Sequence, residues 1–503
     1  MAIVLLNNKI TKMRFLSNYK GAFSESLIRR NIATQLLKLT KLKALYLLTA
    51  VSVIASSSCK KFVEVEPPKT DLVTSTVFND ANTATAAMLS IYAQMIDNSI
   101  PYLLPFHSGL YGDELHNYST DMFGAISYYT NNLNGVNSAP PYWEKGYSFI
   151  YQANAIIEGC QNSNVLDEKI KKQLSSEARF IRAYWYFYLV NLYGDVPLIT
   201  VTDYNENSKM QRMSKNTVYD FIITDLEHAE SDINANYVDA TDTSITFERV
   251  RPNKSAVRAM LARVHLFKGN FSSAEKYATD VIEDTEQYSL VGLGEVFLKN
   301  SREAIWQIPP STNGTWYNTQ EGLNFILTDR PYNCALSNQL INAFELGDNR
   351  RSTWVGSLTI DTETFLFPYK YKVKESSDIT EYSMILRLAE QFLIRAEAKA
   401  NLGKINEAKA DINAIRNRAG LPNTNADTKD GLLNALLHER QVELFTEWGH
   451  RWLDLNRSGK ATEVMQKIAP SKGSSWNPNK GLWPIPQLDI NSNPNLNQNP
   501  GYN

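Results

Sequence analysis

The stretch Tyr111-Gly112-Asp113-Glu114-Leu115-His116-Asn117-Tyr118 sets two carboxylates side by side among aromatic and polar residues. A carboxylate pair is what glycoside hydrolysis uses, one group as proton donor and the other as nucleophile or base, about 5–10 Å apart. The chain holds 53 Asp and Glu, however, so adjacent acidic residues also arise by chance. A second set, Glu439, Arg440, Glu443 and Arg451, falls at helical spacing. Acids and arginines arranged in this way point to a buried ion-pair network bracing helices rather than to a catalytic cluster.

Other chemical signatures fail. His438-Glu439-Arg440-Gln441-Val442 begins like a zinc-protease motif but lacks the second His. Gly292-x-Gly294 continues to Phe297 where a dinucleotide loop needs Gly, and no βαβ pattern surrounds it. Asp489-Ile490-Asn491-Ser492-Asn493 starts like a calcium loop without its Gly or terminal Glu. There is no G-x-S-x-G, P-loop or C-x-x-C, and the six His show no metal-ligand spacing. No cofactor and no metal site is expected. Three cysteines cannot form a disulfide framework, and Cys160 and Cys334 read as inert buried thiols.

Cys59 stands apart because of what precedes it. Lys38, Lys41 and Lys43 lead into twelve mostly apolar residues at 44–55, too few to span a bilayer, which takes about 20. A basic stretch, a short apolar run and the small residues Ser56, Ser57 and Ser58 match a lipoprotein signal. Ser56 departs from it, since Leu is commonest at that position. Cys59 is therefore read as the lipidated mature N-terminus, residues 1–58 as leader and signal peptide, and the polar segment 59–75 as a tether.

The residues beyond need a scaffold. With 43% hydrophobic residues, 51 Lys and Arg against 53 Asp and Glu, the composition is that of a globular protein with ample core. Near-neutral charge gives no support for nucleic-acid binding. Helical periodicity runs through 79–96, 148–161, 168–193, 215–235, 253–286, 384–418 and 430–457, with irregular stretches at 97–147 and 287–383. Within 168–193, two apolar stripes carry Phe180, Tyr184 and Phe187, and Ile181, Trp185 and Tyr188. A helix apolar on two faces is buried between others, so these rings are core and not a ligand platform. Segments 262–282 and 396–416 repeat one pattern, matching Ala262 with Ala396, Gly269 with Gly403 and Ala274 with Ala408. Helix, glycine turn, helix is the tetratricopeptide pattern, which buries its face only by stacking on neighbours. The fold class expected is mostly α, a tetratricopeptide-like scaffold with long irregular loop insertions.

SEARFIRAYWYFYLVNLYGDVPL, the segment ILRLAEQFLIRAEAKANLGKINEAKADINAIRNRAGL, ERQVELFTEWGHRWLDLNRSG and the terminal LWPIPQLDINSNPNLNQNPGY occur in that order. Together with Cys59 and the repeats, they resemble the SusD/RagB family of surface glycan-binding lipoproteins over nearly all of the mature chain. The resemblance implies a non-catalytic outer-membrane lipoprotein that binds oligosaccharide and delivers it to a SusC-type TonB-dependent transporter. It implies an N-terminal part at 76–296 and a C-terminal part at 297–503 packed as one unit, with loops forming the ligand surface.

Sugar rings offer apolar C–H faces and many hydroxyls, which suit aromatic planes edged by Asn, Asp and Arg. The inserted stretches supply Tyr111, Asp113, Tyr118, Trp143, Trp316, Tyr317, Asn318, Arg330 and Tyr332 as candidate glycan contacts. Two other readings stay open: a surface glycoside hydrolase using a carboxylate pair, and a helical-repeat adaptor that binds only protein. A peptide or another nutrient could also replace the glycan.

Overall fold

The computed structural model describes residues 76–120, 124–242, 244–310 and 316–502. The leader, the tether and Cys59 lie outside the described residues.

The chain runs through α1 (Ala81–Asp97), α2 (Ile100–Tyr111), β1 (Leu115–Asn117), α3 (Ala125–Tyr129), α4 (Tyr142–Asn162), α5 (Glu168–Tyr193) and α6 (Lys215–Asp232). After these come α7 (Lys254–Lys268), α8 (Phe271–Ile282), β2 (Ala304–Ile308), α9 (Gln320–Phe325), β3 (Cys334–Leu336), β4 (Val355–Ile360) and β5 (Glu363–Pro368). The last main elements are β6 (Ser383–Arg387), α10 (Leu388–Asn401), α11 (Ile405–Arg418), α12 (Lys429–Glu443), α13 (His450–Arg457) and α14 (Ala461–Ile468).

From α4 to α8 each helix packs on the next, and α8 then packs on α10, which meets α11 and α12. The helical stack is continuous in space although residues 283–387 interrupt it in sequence. The two repeats are α7–α8 and α10–α11. Gly269 (φ +82°) and Gly403 (φ +78°) end their first helices in the left-handed conformation that a side chain would strain. Ala262, Ala274, Ala396 and Ala408 are fully buried where the helices come close.

Helix α5 begins where the Asp167 carboxylate accepts from Lys169 N–H. Every residue of it from Phe180 to Tyr193 is buried. Trp185 stacks on Phe149 at 4.9 Å, while Trp306 of β2 meets Phe180 and Tyr184 edge-on at 5.2 and 5.7 Å. The aromatic helix is the centre of the core.

Three boundaries differ from the periodicity. The stretch 97–147 contains helix α2, although Pro101 and Pro105 lie within it. Pro101 sits in the first turn, where an N–H has no partner to lose. Burial of nearly the whole of α2 outweighs the one bond lost at Pro105. The helical stretch at 384–418 opens as a strand, β6, antiparallel to β2. The stretch 430–457 breaks after Glu443, where Thr446, Trp448 and Gly449 all take positive φ. That buried turn is held by Trp448 Nε1–H donating to the Met384 carbonyl at 2.7 Å.

Glu439 and Glu443 do lie in a buried ion-pair network, but the arginines expected beside them pair elsewhere, Arg440 with Asp454 and Arg451 with Asp113. Arg350 reaches Asp348, Glu439 and Glu443, while Arg387 reaches Glu303, Glu443 and Glu447. Arg418 bonds Glu303 and Glu443. These arginines hold the Glu443 carboxyl well below the usual carboxylate range against the opposing effect of burial. The network ties the β2–β6 ladder and α11 to α12.

Candidate functional site

Strand β1 leaves α2 after a tight turn and pairs antiparallel with β3, Leu115 opposite Leu336 and His116 opposite Ala335. The ladder continues as Tyr118 N–H donates to the Asn333 carbonyl at 2.9 Å. Side chains alternate along a strand, so His116 and Tyr118 share a face while Leu115 turns into the core. The hairpin β4–β5 stands beside them and brings Phe365 against Tyr118, ring centroids 5.7 Å apart and nearly perpendicular. His116 lies 5.1 Å from the Tyr118 ring and 5.3 Å from Tyr129 of α3, sharing a 2.8 Å hydrogen bond with the Tyr129 hydroxyl.

These four rings line a cleft of about 350 Å³ with Asp113, Ser337, Asn338, Gln339, Thr364, Ser471 and Lys472 on its polar edges. Tyr118 is 39% exposed and Asn338 and Gln339 are open to solvent. Burial, and then the Glu363 carboxylate, raises the Tyr118 hydroxyl above its ordinary pKa, so it stays a neutral donor. Burial, helped by Lys472, lowers His116, which leaves the imidazole uncharged. The arrangement offers aromatic planes bordered by hydroxyls and amides. Three other clefts, of about 460, 470 and 620 Å³, contain none of the candidate residues.

Both carboxylates of the pair have partners within the fold. Asp113 lines the cleft, but Arg451 Nε and Nη2 occupy its two oxygens at 2.8 and 2.7 Å. Glu114 points inward, accepts from Thr446 N–H at 3.2 Å and does not line the cleft. Burial, then the charge of Asp113, pushes its carboxyl up to about 8. The carboxyl that is raised, Glu114, is the one that does not line the cleft, and both oxygens of Asp113 already accept from Arg451.

The sequence candidates divide. Tyr118 and Asp113 line the cleft. Arg330 stands at its mouth, with its guanidinium 5.8 Å from the Phe365 ring and ion-paired to Asp361 and Glu363 at 2.8 and 2.9 Å. Tyr332, 54% exposed, adjoins Asn333, the partner of Tyr118. Trp316 is 55% exposed and meets Tyr317 edge-on at 6.3 Å, on a loop that does not border this cleft.

Tyr111, Trp143 and Asn318, also expected as glycan contacts, lie in the interior of the structure. Tyr111 packs on Trp452 and Trp483 and donates to the Lys480 carbonyl at 2.8 Å. Trp143 lies against Tyr147 and Tyr193. Asn318 accepts from Thr380 and Glu381 N–H and donates to the Asp378 carbonyl, pinning one loop to another.

Sequence reasoning missed His116, Tyr129, Phe365 and Lys472. The strand alternation that accompanies Tyr118 was a usable signal for His116. Nothing local marked the others, which arrive from α3, β5 and the segment after α14.

The sequence is matched by two family models. One, described as "SusD family", matches residues 345–502, and the other, "Starch-binding associating with outer membrane", matches residues 61–266. A SusD-like protein of Formosa agariphila is 24% identical, over 87% of this chain and 95% of its own length. The starch-binding protein SusD of Bacteroides thetaiotaomicron is 36% identical, over 24% of this chain and 21% of its own. The fold is similar to that of a SusD superfamily protein of Bacteroides vulgatus (TM-score 0.73, 19% identity, 84% of this chain and 99% of that one). It is also similar to a structure titled laminarin-binding SusD-like protein (TM-score 0.69, 22% identity, 83% and 99%). The surface glycan-binding protein A of Bacteroides uniformis is a further neighbour (TM-score 0.68, 19% identity, 83% and 98%). With one family model over residues 61–266 and the other over 345–502, the chain belongs to the SusD/RagB family.

Proposed function

We propose that this protein binds oligosaccharide at the cell surface without cleaving it and hands it to a SusC-type TonB-dependent transporter in the outer membrane. The observation that carries the reading is the cleft itself, where His116, Tyr118, Tyr129 and Phe365 set aromatic walls beside the polar edge of Asn338, Gln339 and Ser471. Stacked sugar rings and amide or hydroxyl hydrogen bonds fit such a surface. The names of the laminarin-binding and glycan-binding neighbours support the ligand class. The family description supports an outer-membrane location, with Cys59 as lipid anchor and residues 59–75 as the tether. Trp316 and Tyr317 are proposed as a second, separate aromatic contact.

Bond cleavage is not part of the proposal, because Arg451 saturates Asp113 and Glu114 is turned away from the cleft. Affinity in the micromolar range corresponds to about 8 kcal/mol, within reach of a few ring contacts and hydrogen bonds. The test is calorimetry of the purified protein across a glycan panel, with product analysis of the same mixtures. Tyr118→Ala should weaken binding tenfold or more, since a few residues dominate such surfaces. Shortened oligosaccharides in the mixtures would establish a hydrolase instead. No glycan bound anywhere on the panel would favour the protein-only adaptor.

A further inference from the structure

We infer that the cleft selects neutral oligosaccharides and turns acidic ones away. The inference rests on the glycan reading above and adds the class of glycan.

An acidic sugar, whether uronate or sulfated, is recognised by donors carrying positive charge and free to point at it, above all a bidentate guanidinium. Three cationic side chains border the cleft or support its floor, and each is already engaged by carboxylate or carbonyl partners. Lys472, largely buried, gives its ammonium hydrogens to the carbonyls of Leu110, Tyr111 and Gly112. Those carbonyls end helix α2, where acceptors lack helical partners and the dipole favours a cation. Arg451 is spent on both oxygens of Asp113. Arg330 at the mouth is shared between Asp361 and Glu363. His116 is held neutral beside Lys472.

The balance of charge at the mouth has the opposite sign to that needed. One guanidinium faces two carboxylates, and the Glu363 carboxylate is near enough to Tyr118 to affect its hydroxyl. An approaching anion would have to displace a carboxylate from Arg330 while facing the other. A neutral sugar needs none of this. Its hydroxyls can meet Asn338, Gln339, Thr364 and Ser471, and its C–H faces can meet the exposed rings of Tyr118 and His116. Among the described residues lining the cleft, no cationic group is left free for a ligand.

The experiment is calorimetric titration with linear tetra- to hexasaccharides of three kinds: neutral gluco-, xylo- and manno-oligosaccharides, oligogalacturonides, and sulfated galactans, each at low and moderate salt. The expected result is binding of one or more neutral series, with the acidic series at least tenfold weaker. The double variant Asp361→Asn/Glu363→Gln frees Arg330 and should raise affinity for oligogalacturonide several-fold at low salt. An acidic series that binds at least tenfold more tightly than every neutral one, and loses that binding in Arg330→Met, overturns the inference and leaves the glycan reading intact. A double variant with no gain toward oligogalacturonide overturns the charge argument. Absence of binding to all three series removes the glycan reading and this inference with it.

Discussion

Arg451 grips Asp113 across 338 residues of chain, Nε to Oδ1 at 2.8 Å and Nη2 to Oδ2 at 2.7 Å, with both side chains almost wholly buried. The pair fastens the start of α13 to the turn that carries α2 into the cleft wall. Removing one partner leaves the other charge buried and uncompensated. Arg451→Met should therefore cost about 3–5 kcal/mol of stability, whereas the double change Arg451→Met/Asp113→Leu should recover much of that loss. Denaturant unfolding of the three proteins measures both quantities.

The neighbouring Glu114 predicts a pH effect. Its carboxyl is raised from 4.5 to about 8 by burial and then by Asp113, with Arg451, Lys370 and Thr446 N–H acting the other way. A raised acid stabilises the fold fully below its unfolded pKa, and that contribution is lost as pH rises through the folded value. Wild type should thus lose stability relative to Glu114→Gln between about pH 5 and pH 8, by an amount on the order of a few kcal/mol. Glu321, also raised by burial, to about 7, is common to both proteins and cancels in the comparison. Chemical unfolding at successive pH values gives the difference, and a gap constant with pH would disprove the assignment.

Core aromatics and open aromatics should separate in one experiment. Trp185→Ala and Trp143→Ala should each leave a cavity and cost about 3–5 kcal/mol, with near wild-type glycan affinity in the molecules that remain folded. Trp316→Ala, on an exposed loop, should change stability by no more than about 0.5 kcal/mol. Thermal melts set beside calorimetry distinguish the two classes.

Cys59, outside the described residues, carries a prediction from sequence alone. Cys59→Ala should abolish incorporation of labelled fatty acid and release the protein from the outer membrane. Label retained by the variant would disprove the anchor.

What the sequence determined by itself was whatever depends on neighbours a few positions away. The 3.6-residue stripes of α5 made its burial legible, and the glycine turns at 269 and 403 with their small residues made the helical repeats legible. Tertiary structure decided which of two similar residues meets solvent. Tyr111 and Tyr118 stand seven positions apart with the same chemistry. One is sealed by Trp452, Trp483 and the Lys480 carbonyl, and the other is left open beside Phe365 and Asn333. The same holds for Asp113, whose two oxygens are engaged by Arg451. Burial is set by the surfaces that close over a residue. Here those surfaces come from hundreds of positions away, beyond the reach of any local spacing.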